Sequence, residues 1–250
     1  MKNNILEIKN LSKTYHTEKK EILALKNISL NIKEKEFISI VGPSGCGKST
    51  ILTILAGIIE KTNGNIIFKK QNLKLGYMLQ EDSLFPWLTV LENACLGLEI
   101  KKQLTEKQKQ KVIDLLDKYG LKDFKDSYPN SLSGGLKQRV ALIRTLAINP
   151  DILLLDEPFS ALDYQTRLSL SDDLYKIIKN EGKTAIMVTH DISEAISISS
   201  RIVIISNRPG IVKKIIDINL DKKRLPTENR KDKKFMEYYE MIWKELDHHV

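Results

Sequence analysis

The sequence predicts a doubly wound α/β fold with an all-helical insert. Two observations carry that prediction. Three short, unbroken apolar runs at 152–155, 185–188 and 202–205 have the composition of parallel strands covered on both faces, and helical stretches at about 164–179 and 192–199 separate them. A glycine-rich segment, Gly42-Pro43-Ser44-Gly45-Cys46-Gly47-Lys48-Ser49, joins an apolar strand at 36–41 to a helix at 48–59.

The remaining elements follow in order. Residues 5–8 and 22–32 alternate apolar with polar, as exposed antiparallel strands do. Asn63-Gly64 reads as a turn, and 66–68 and 75–79 as two short strands joined by a brief loop. Between 81 and 150 the period becomes helical. Val112, Leu115, Leu116 and Tyr119 mark one helix face; Leu136, Val140, Ile143 and Ala147 mark another, behind the candidate N-cap Ser133. The tail carries the one-sided stripe Phe235, Tyr238, Tyr239, Ile242, Trp243 and Leu246, expected to pack back on the main body. The boundaries that result are one domain over 1–250. A core is formed by 1–80 with 151–206, a helical subdomain by 81–150, and a tail by 207–250.

Composition excludes several classes. No apolar stretch is long enough to span a bilayer, the first residues lack the apolar core of a secretory signal, and two cysteines in 250 residues do not make a disulfide scaffold. A cytoplasmic protein is expected. The net charge of +8 is spread over lysines such as Lys19-Lys20, Lys101-Lys102 and Lys222-Lys223, mostly interleaved with Glu, Asp or Gln. No aromatic-and-basic ribbon appears, so nucleic acid is not expected as a partner.

The segment 42–49 fits G-x-x-x-x-G-K-[ST] in the strand-to-helix context that this motif requires. Its glycines let successive N–H groups curve around a phosphate, the helix N-terminus adds partial positive charge, Lys48 reaches the β- and γ-phosphates, and Ser49 offers a hard oxygen to Mg²⁺. Asp156 closes a buried strand and is placed to hold Mg²⁺; Glu157 beside it is placed to polarise a water as general base. The loop alone identifies a nucleoside triphosphate site and leaves the chemistry open.

Further motifs narrow it. Leu132-Ser133-Gly134-Gly135 precedes a helix and lies shortly before the Asp156-Glu157 strand; with Gln80, Ser160-Ala161-Leu162-Asp163 and His190, this set resembles the ATP-binding subunit of an ABC transporter over about 6–206. The resemblance implies a P-loop NTPase with a RecA-like core, an antiparallel β-subdomain and a helical subdomain. It implies ATP hydrolysis with ATP and Mg²⁺. Nucleotide contacts carried over are Tyr15 stacking on adenine, residues Gly42 to Thr50 around the phosphates, and, from a second copy, Ser133, Gly134, Gly135 and Asp163. Ser49, Gln80 and Asp156 match the metal-site residues; Glu157, His190, Gln80 and Lys48 match the catalytic ones. Two identical composite sites would form in a head-to-tail dimer.

Two departures stand out. Gln often follows the Ser-Gly-Gly of this family, and here Leu136 does; the stretch between Gly64 and Gln80 is short. Cys46 inside the loop gives one expectation: alkylating it should block nucleotide, and ATP should protect it.

Phe85-Pro86-Trp87-Leu88-Thr89-Val90-Leu91-Glu92-Asn93, Ser206-Asn207-Arg208-Pro209-Gly210 and the tail helix resemble the nitrate, sulfonate and taurine importer branch, which also includes transporters of thiamine-precursor pyrimidines. That implies membrane-spanning permease partners, an extracytoplasmic solute-binding protein acting through them, and a place on the cytoplasmic face of the cell membrane. Alternatives are a soluble ABC ATPase acting on nucleic acid or ribosomes, a kinase using the same phosphate loop, and a non-hydrolysing binding module. The solute need not touch this chain, so the sequence does not name it.

Overall fold

A computed structural model describes residues 3–16, 18, 20–160, 162–221 and 224–247. Ala161 of the Ser160 to Asp163 motif and the lysines at 19, 222 and 223 lie outside the described residues.

The alternating N-terminal segments form β1 (Asn4–His16) and β2 (Glu21–Lys33), paired antiparallel. With β4 (Asn63–Phe68) they make a three-stranded sheet in the order β2-β1-β4. The larger sheet has six strands in the order β5-β6-β7-β3-β8-β9, where β3 is Phe37–Val41, β5 Leu75–Met78, β6 Ile152–Asp156, β7 Thr184–Thr189, β8 Arg201–Ile205 and β9 Val212–Asp217. Strands β5, β6, β7, β3 and β8 run parallel, and β9 closes the edge antiparallel. The three apolar runs are therefore central strands, and β6 and β7 are buried along their whole length. The fold class is the α/β one that the sequence predicts.

Two expectations need correction. Asn63 and Gly64 open β4 rather than forming a turn, because Asn63 pairs with Ser12 across a register shift in β1. The two short strands read at 66–68 and 75–79 are both present, in different sheets: β4 joins the small sheet through β1, and β5 joins the large one beside β6. Helix α1 (Lys48–Leu55) also stops four residues early.

One core lies between the sheets and around α1, with Leu6, Ile8, Leu25, Ile40, Ile51, Leu52, Leu154 and Val188 all buried. The opposite face of the large sheet is covered by α5 (Tyr164–Asn180) and α4 (Gly134–Ala147) through Leu153, Met187, Leu170, Leu174 and Leu142. Helices α2 (Val90–Ile100), α3 (Glu106–Lys118) and α4 share a separate core built on Val90, Ala94, Val112, Leu116, Val140 and Ile143. Residues 81–150 thus carry a hydrophobic centre of their own.

Helix α6 (Ile192–Ile198) follows β7, the short α7 (Pro226–Asn229) follows β9, and α8 (Lys233–Asp247) ends the described chain. Phe235 and Ile242 of α8 are buried against Ile192, Ala195 and Ile202, so the tail helix does pack back on the main body. Trp243 leaves the buried stripe: it is half exposed and stacks on Tyr239 with ring centroids 6.1 Å apart. Among the described residues, no helix is long and apolar enough to cross a membrane.

Candidate active site

The parallel strands β3, β6 and β7 end side by side, and their carboxyl ends carry Gly42, Asp156-Glu157 and His190. Ligands of doubly wound sheets bind at that edge. A cavity of about 1110 Å³ opens there. Its wall includes the loop residues Gly42, Pro43, Ser44, Gly45, Gly47, Lys48, Ser49 and Thr50, together with Tyr15, Gln80, Glu157 and His190.

Helix α1 starts at Gly47 with no side-chain cap and no acidic residue in its first turn. Its first N–H groups and its dipole are therefore left for an anion. Lys48 is buried, and its Nζ donates to the carbonyls of Gly42 (2.8 Å) and Pro43 (2.9 Å). The ammonium thus rests on oxygens of its own loop, beside the cavity into which a phosphate would enter. At the other end Tyr15, at the exposed edge of β1, places its hydroxyl 3.3 Å from Thr50 Oγ1.

Ser49 donates to Asp156 Oδ1 at 2.8 Å. Tyr77 donates to Asp156 Oδ2 at 3.1 Å, so each carboxylate oxygen has one hydroxyl partner. Burial raises the Asp156 pKa, against the pull of those two hydrogen bonds. Burial also raises the Tyr77 pKa, keeping it a neutral donor. A hydroxyl and a carboxylate at hydrogen-bond distance in a low-dielectric pocket form an all-oxygen donor pair that suits a hard divalent ion such as Mg²⁺. Sequence reasoning missed Tyr77; its only signal was a tyrosine in the strand beside β6.

Glu157 adopts a left-handed backbone conformation, φ 45°, uncommon for a residue with a side chain. Its N–H donates to Val188 O at 2.9 Å, tying it to the neighbouring strand. Its Oε2 lies 3.1 Å from His190 Nδ1. Gln80 donates weakly to Ser160 Oγ (3.4 Å), and its own carbonyl accepts from Gln138 Nε2 of α4 (3.4 Å).

The segment after His190 is anchored by a buried polar network. Thr189 Oγ1 donates to Glu194 Oε2 at 2.8 Å, Arg167 reaches Asp191 and Glu194 at 3.3 and 3.5 Å, and Arg167 also donates to Leu162 O at 3.2 Å. Arg167 so ties the Asp163 loop to the His190 loop, a link between residues too distant in sequence to be read there. Burial first, then the charge of Asp191, push the Glu194 pKa up to about 7, with Thr189, Arg167 and Arg230 pulling the other way. Between about pH 4.5 and 7 the folded chain keeps a proton that the unfolded chain has released, so this site's contribution to stability falls as pH rises through that window. Urea denaturation of the wild type and Glu194→Gln at pH 5 and pH 8 should show their difference moving against the wild type at the higher pH; a difference independent of pH would contradict this.

Cys46 corrects the alkylation expectation. It is 1% exposed, belongs to the core under the loop, and burial pushes its thiol pKa up. Cys95 is buried with a raised pKa as well. Neither thiol is poised to react. A disulfide reagent should find no fast thiol in the native protein and two in denaturant; rapid native labelling of Cys46 would overturn that.

Ser133, Gly134 and Gly135 do not line this cavity. Ser133 caps α4, accepting from Leu136 N at 3.4 Å, and Ser133 and Gly134 are exposed. The contact uses a backbone N–H, and the Leu136 side chain packs on the helical core, so the departure from Gln leaves this helix start intact. Asp163, exposed, caps α5 through Gln165 N (3.1 Å) and Thr166 N (3.0 Å). The side-chain hydrogen bond with Thr166 first, then the backbone ones, lower its pKa.

Known proteins share the family and the fold of this chain. The ABC transporter family matches residues 25–160. The uncharacterized ABC transporter ATP-binding protein YtlC of Bacillus subtilis is 45% identical, over 98% of this chain and 96% of its own length. The aliphatic sulfonates import ATP-binding protein SsuB of Bacillus cereus is 42% identical over 89% of each chain. The ATP-binding cassette MJ0796, solved as a dimer in a post-hydrolysis state with ADP and Pi, superposes with a TM-score of 0.74 and 38% identity, covering 86% of this chain and 99% of that one. The chain belongs to the ABC transporter family. Within it, the chain is an ATP-binding subunit, and its activity is that of an ATPase.

Proposed function

We propose that two copies of this chain clamp two ATP molecules between them and, by hydrolysing them, drive solute import through a membrane permease. The observation that carries this reading is the separation of the two halves of the site. The phosphate loop and Glu157 face one cavity, whereas Ser133 and Gly134 present a capped but exposed helix N-terminus elsewhere on the surface. Such an N-terminus is an anion site without an anion of its own chain. A head-to-tail pair brings it onto the partner's terminal phosphate and generates two equivalent sites. The dimeric form of MJ0796 supports this arrangement.

In each site Lys48 and the N-terminal amides of α1 bind the β- and γ-phosphates, and Tyr15 stacks on the base. Ser49, Asp156 and Gln80 would hold Mg²⁺, which supplies neutralisation of charge on the phosphate oxygens. Glu157 takes a proton from the attacking water as the water oxygen bonds to the γ-phosphorus and the bond to the β–γ bridging oxygen breaks. His190, 3.1 Å from the Glu157 carboxylate, orients that base. Asp163 and Ser133 to Gly135 come from the other copy.

Transmission to a permease runs through the loop after Gln80. Arg144 of α4 donates to Ser83 O (2.8 Å) and Asp82 O (2.7 Å), and Gln138 holds Gln80, so the helix that begins at Ser133 grips that loop directly. Buried Asn93 fixes its outer turn, accepting from Phe85 N and donating to the carbonyls of Phe85, Leu88 and Thr89. On this rigid turn Phe85 and Trp87 are exposed, with ring centroids 5.1 Å apart. Exposed paired aromatics on a fixed backbone are what a docking helix of a permease would meet. The similarity to SsuB, and the residues shared with the nitrate, sulfonate and taurine branch, favour import of a small solute delivered by an extracytoplasmic binding protein. The protein would then sit peripherally on the cytoplasmic face of the membrane.

The test is to look for a membrane-spanning permease among the neighbouring genes and to reconstitute the chain with it. Vesicles should show ATP-dependent uptake that Glu157→Gln abolishes. ATPase activity stimulated by nucleic acid, with no permease association, would reject this function.

A further inference from the structure

The turn Ser206-Asn207-Arg208-Pro209-Gly210, so far only a mark of resemblance, is built against the phosphate loop. Arg208 Nε and Nη2 both donate to the carbonyl of Gly45, at 3.3 and 3.2 Å, and Arg208 lines the nucleotide cavity. The turn is fixed on three sides. Ser206 Oγ donates to Asn207 O and Pro209 O and accepts from Ile211 N. Gly210 bridges to β2, donating to Ala24 O and accepting from Lys26 N, both at 2.9 Å. It also presses on the loop itself: a Cβ at Gly210 would stand 2.4 Å from the carbonyl oxygen of Cys46. Only glycine lets this turn approach so closely.

We propose that Arg208 is a positioning residue for the nucleotide's β-phosphate, acting through the Gly45–Cys46 peptide. Gly45 has φ +73°, the left-handed conformation by which a phosphate-binding nest turns its amides inward. The carbonyl of that peptide accepts from a guanidinium, and its N–H belongs to Cys46 inside the loop, where it makes a long hydrogen bond to Pro43 O (3.4 Å) that a phosphate oxygen would replace. A charged donor on the carbonyl polarises the whole unit and makes the N–H a stronger donor toward an anion. Arg208 also holds the loop in its curved form before nucleotide arrives, lowering the ordering cost of binding. The guanidinium is suited to this because its planar fork gives two donors to one oxygen. Arg208 is exposed, so water screens it and the effect is that of about one net hydrogen bond.

This inference rests on the reading that residues 42–49 hold the phosphates, and the experiment separates the two. The dissociation constants of ATP, ADP and AMP are measured by calorimetry for the wild type, Arg208→Ala, Arg208→Lys and Lys48→Ala, with steady-state ATPase kinetics for the two Arg208 variants. Arg208→Ala should weaken ATP and ADP by the same factor, roughly three- to tenfold. It should leave AMP unaffected, and should raise KM with kcat nearly unchanged. Arg208→Lys should recover part of the loss, which a merely structural disturbance would not predict. Unchanged ADP affinity overturns the proposal. So does a loss confined to ATP, which would place Arg208 at the γ-phosphate or the partner, and so does an equal loss for AMP. If Lys48→Ala binds ADP as the wild type does, the underlying reading of the loop fails instead.

Discussion

Glu157→Gln is expected to keep ATP binding, to slow hydrolysis by a factor of roughly 10²–10⁴, and to accumulate as a dimer with ATP. The magnitude is what a positioned general base contributes. The amide is nearly the shape of the carboxylate and can still pair with His190, whose Nδ1 lies 3.1 Å from Oε2, so the local geometry survives. What disappears is the basic oxygen. The left-handed backbone at Glu157 is fixed by the hydrogen bond to Val188, which the substitution does not touch. With cleavage blocked, the triphosphate remains as the bridge between the copies. Gel filtration with ATP reports the dimer, and phosphate release reports the rate. A protein that is monomeric under ATP would contradict the proposed clamp, and one that hydrolyses at the wild-type rate would remove Glu157 from its role.

Lys48→Ala has the second large effect, and it falls on binding. The ammonium is buried and carried on two loop carbonyls, Gly42 and Pro43. Phosphate oxygens would replace these with charge-assisted hydrogen bonds, worth about 1.5–3 kcal/mol each. Losing even one weakens nucleotide by about ten- to a hundredfold. Alanine leaves the α1 helix intact because it is a strong helix former and the cap residue is Gly47. Titration calorimetry with ATP measures the loss; an unchanged dissociation constant would reject the assignment of Lys48 to the phosphates.

The sequence was most legible where one physical cause dominates. The apolar runs at 152–155, 185–188 and 202–205 are central strands because burial on both faces leaves no room for alternation. The loop at 42–49 was legible because a phosphate cradle restricts both residue type and spacing. Partner choice among strands was not legible: periodicity says that 66–68 and 75–78 are extended but not that β4 and β5 lie in different sheets. Strand β9 escaped notice because the mixed sequence Val212-Lys213-Lys214-Ile215-Ile216-Asp217 suits an edge strand with one wet face. Side-chain bridges across the chain were also hidden. Tyr77 on Asp156, Arg167 between two loops and Arg208 on Gly45 depend on topology, and residues 163 apart share no local pattern. The tail helix packs back on the main body as expected, but periodicity did not show that Trp243 of its stripe turns out toward the nucleotide cavity.

The central claim is that each ATP is held by two copies of this chain. A crystal structure of Glu157→Gln grown with Mg²⁺ and ATP tests it most directly. The account predicts Ser133 Oγ and the amides of Gly134 and Gly135 within hydrogen-bond distance of the terminal phosphate bound to Lys48 of the other copy. A nucleotide enclosed by one chain alone, with the start of α4 turned to solvent, would contradict it.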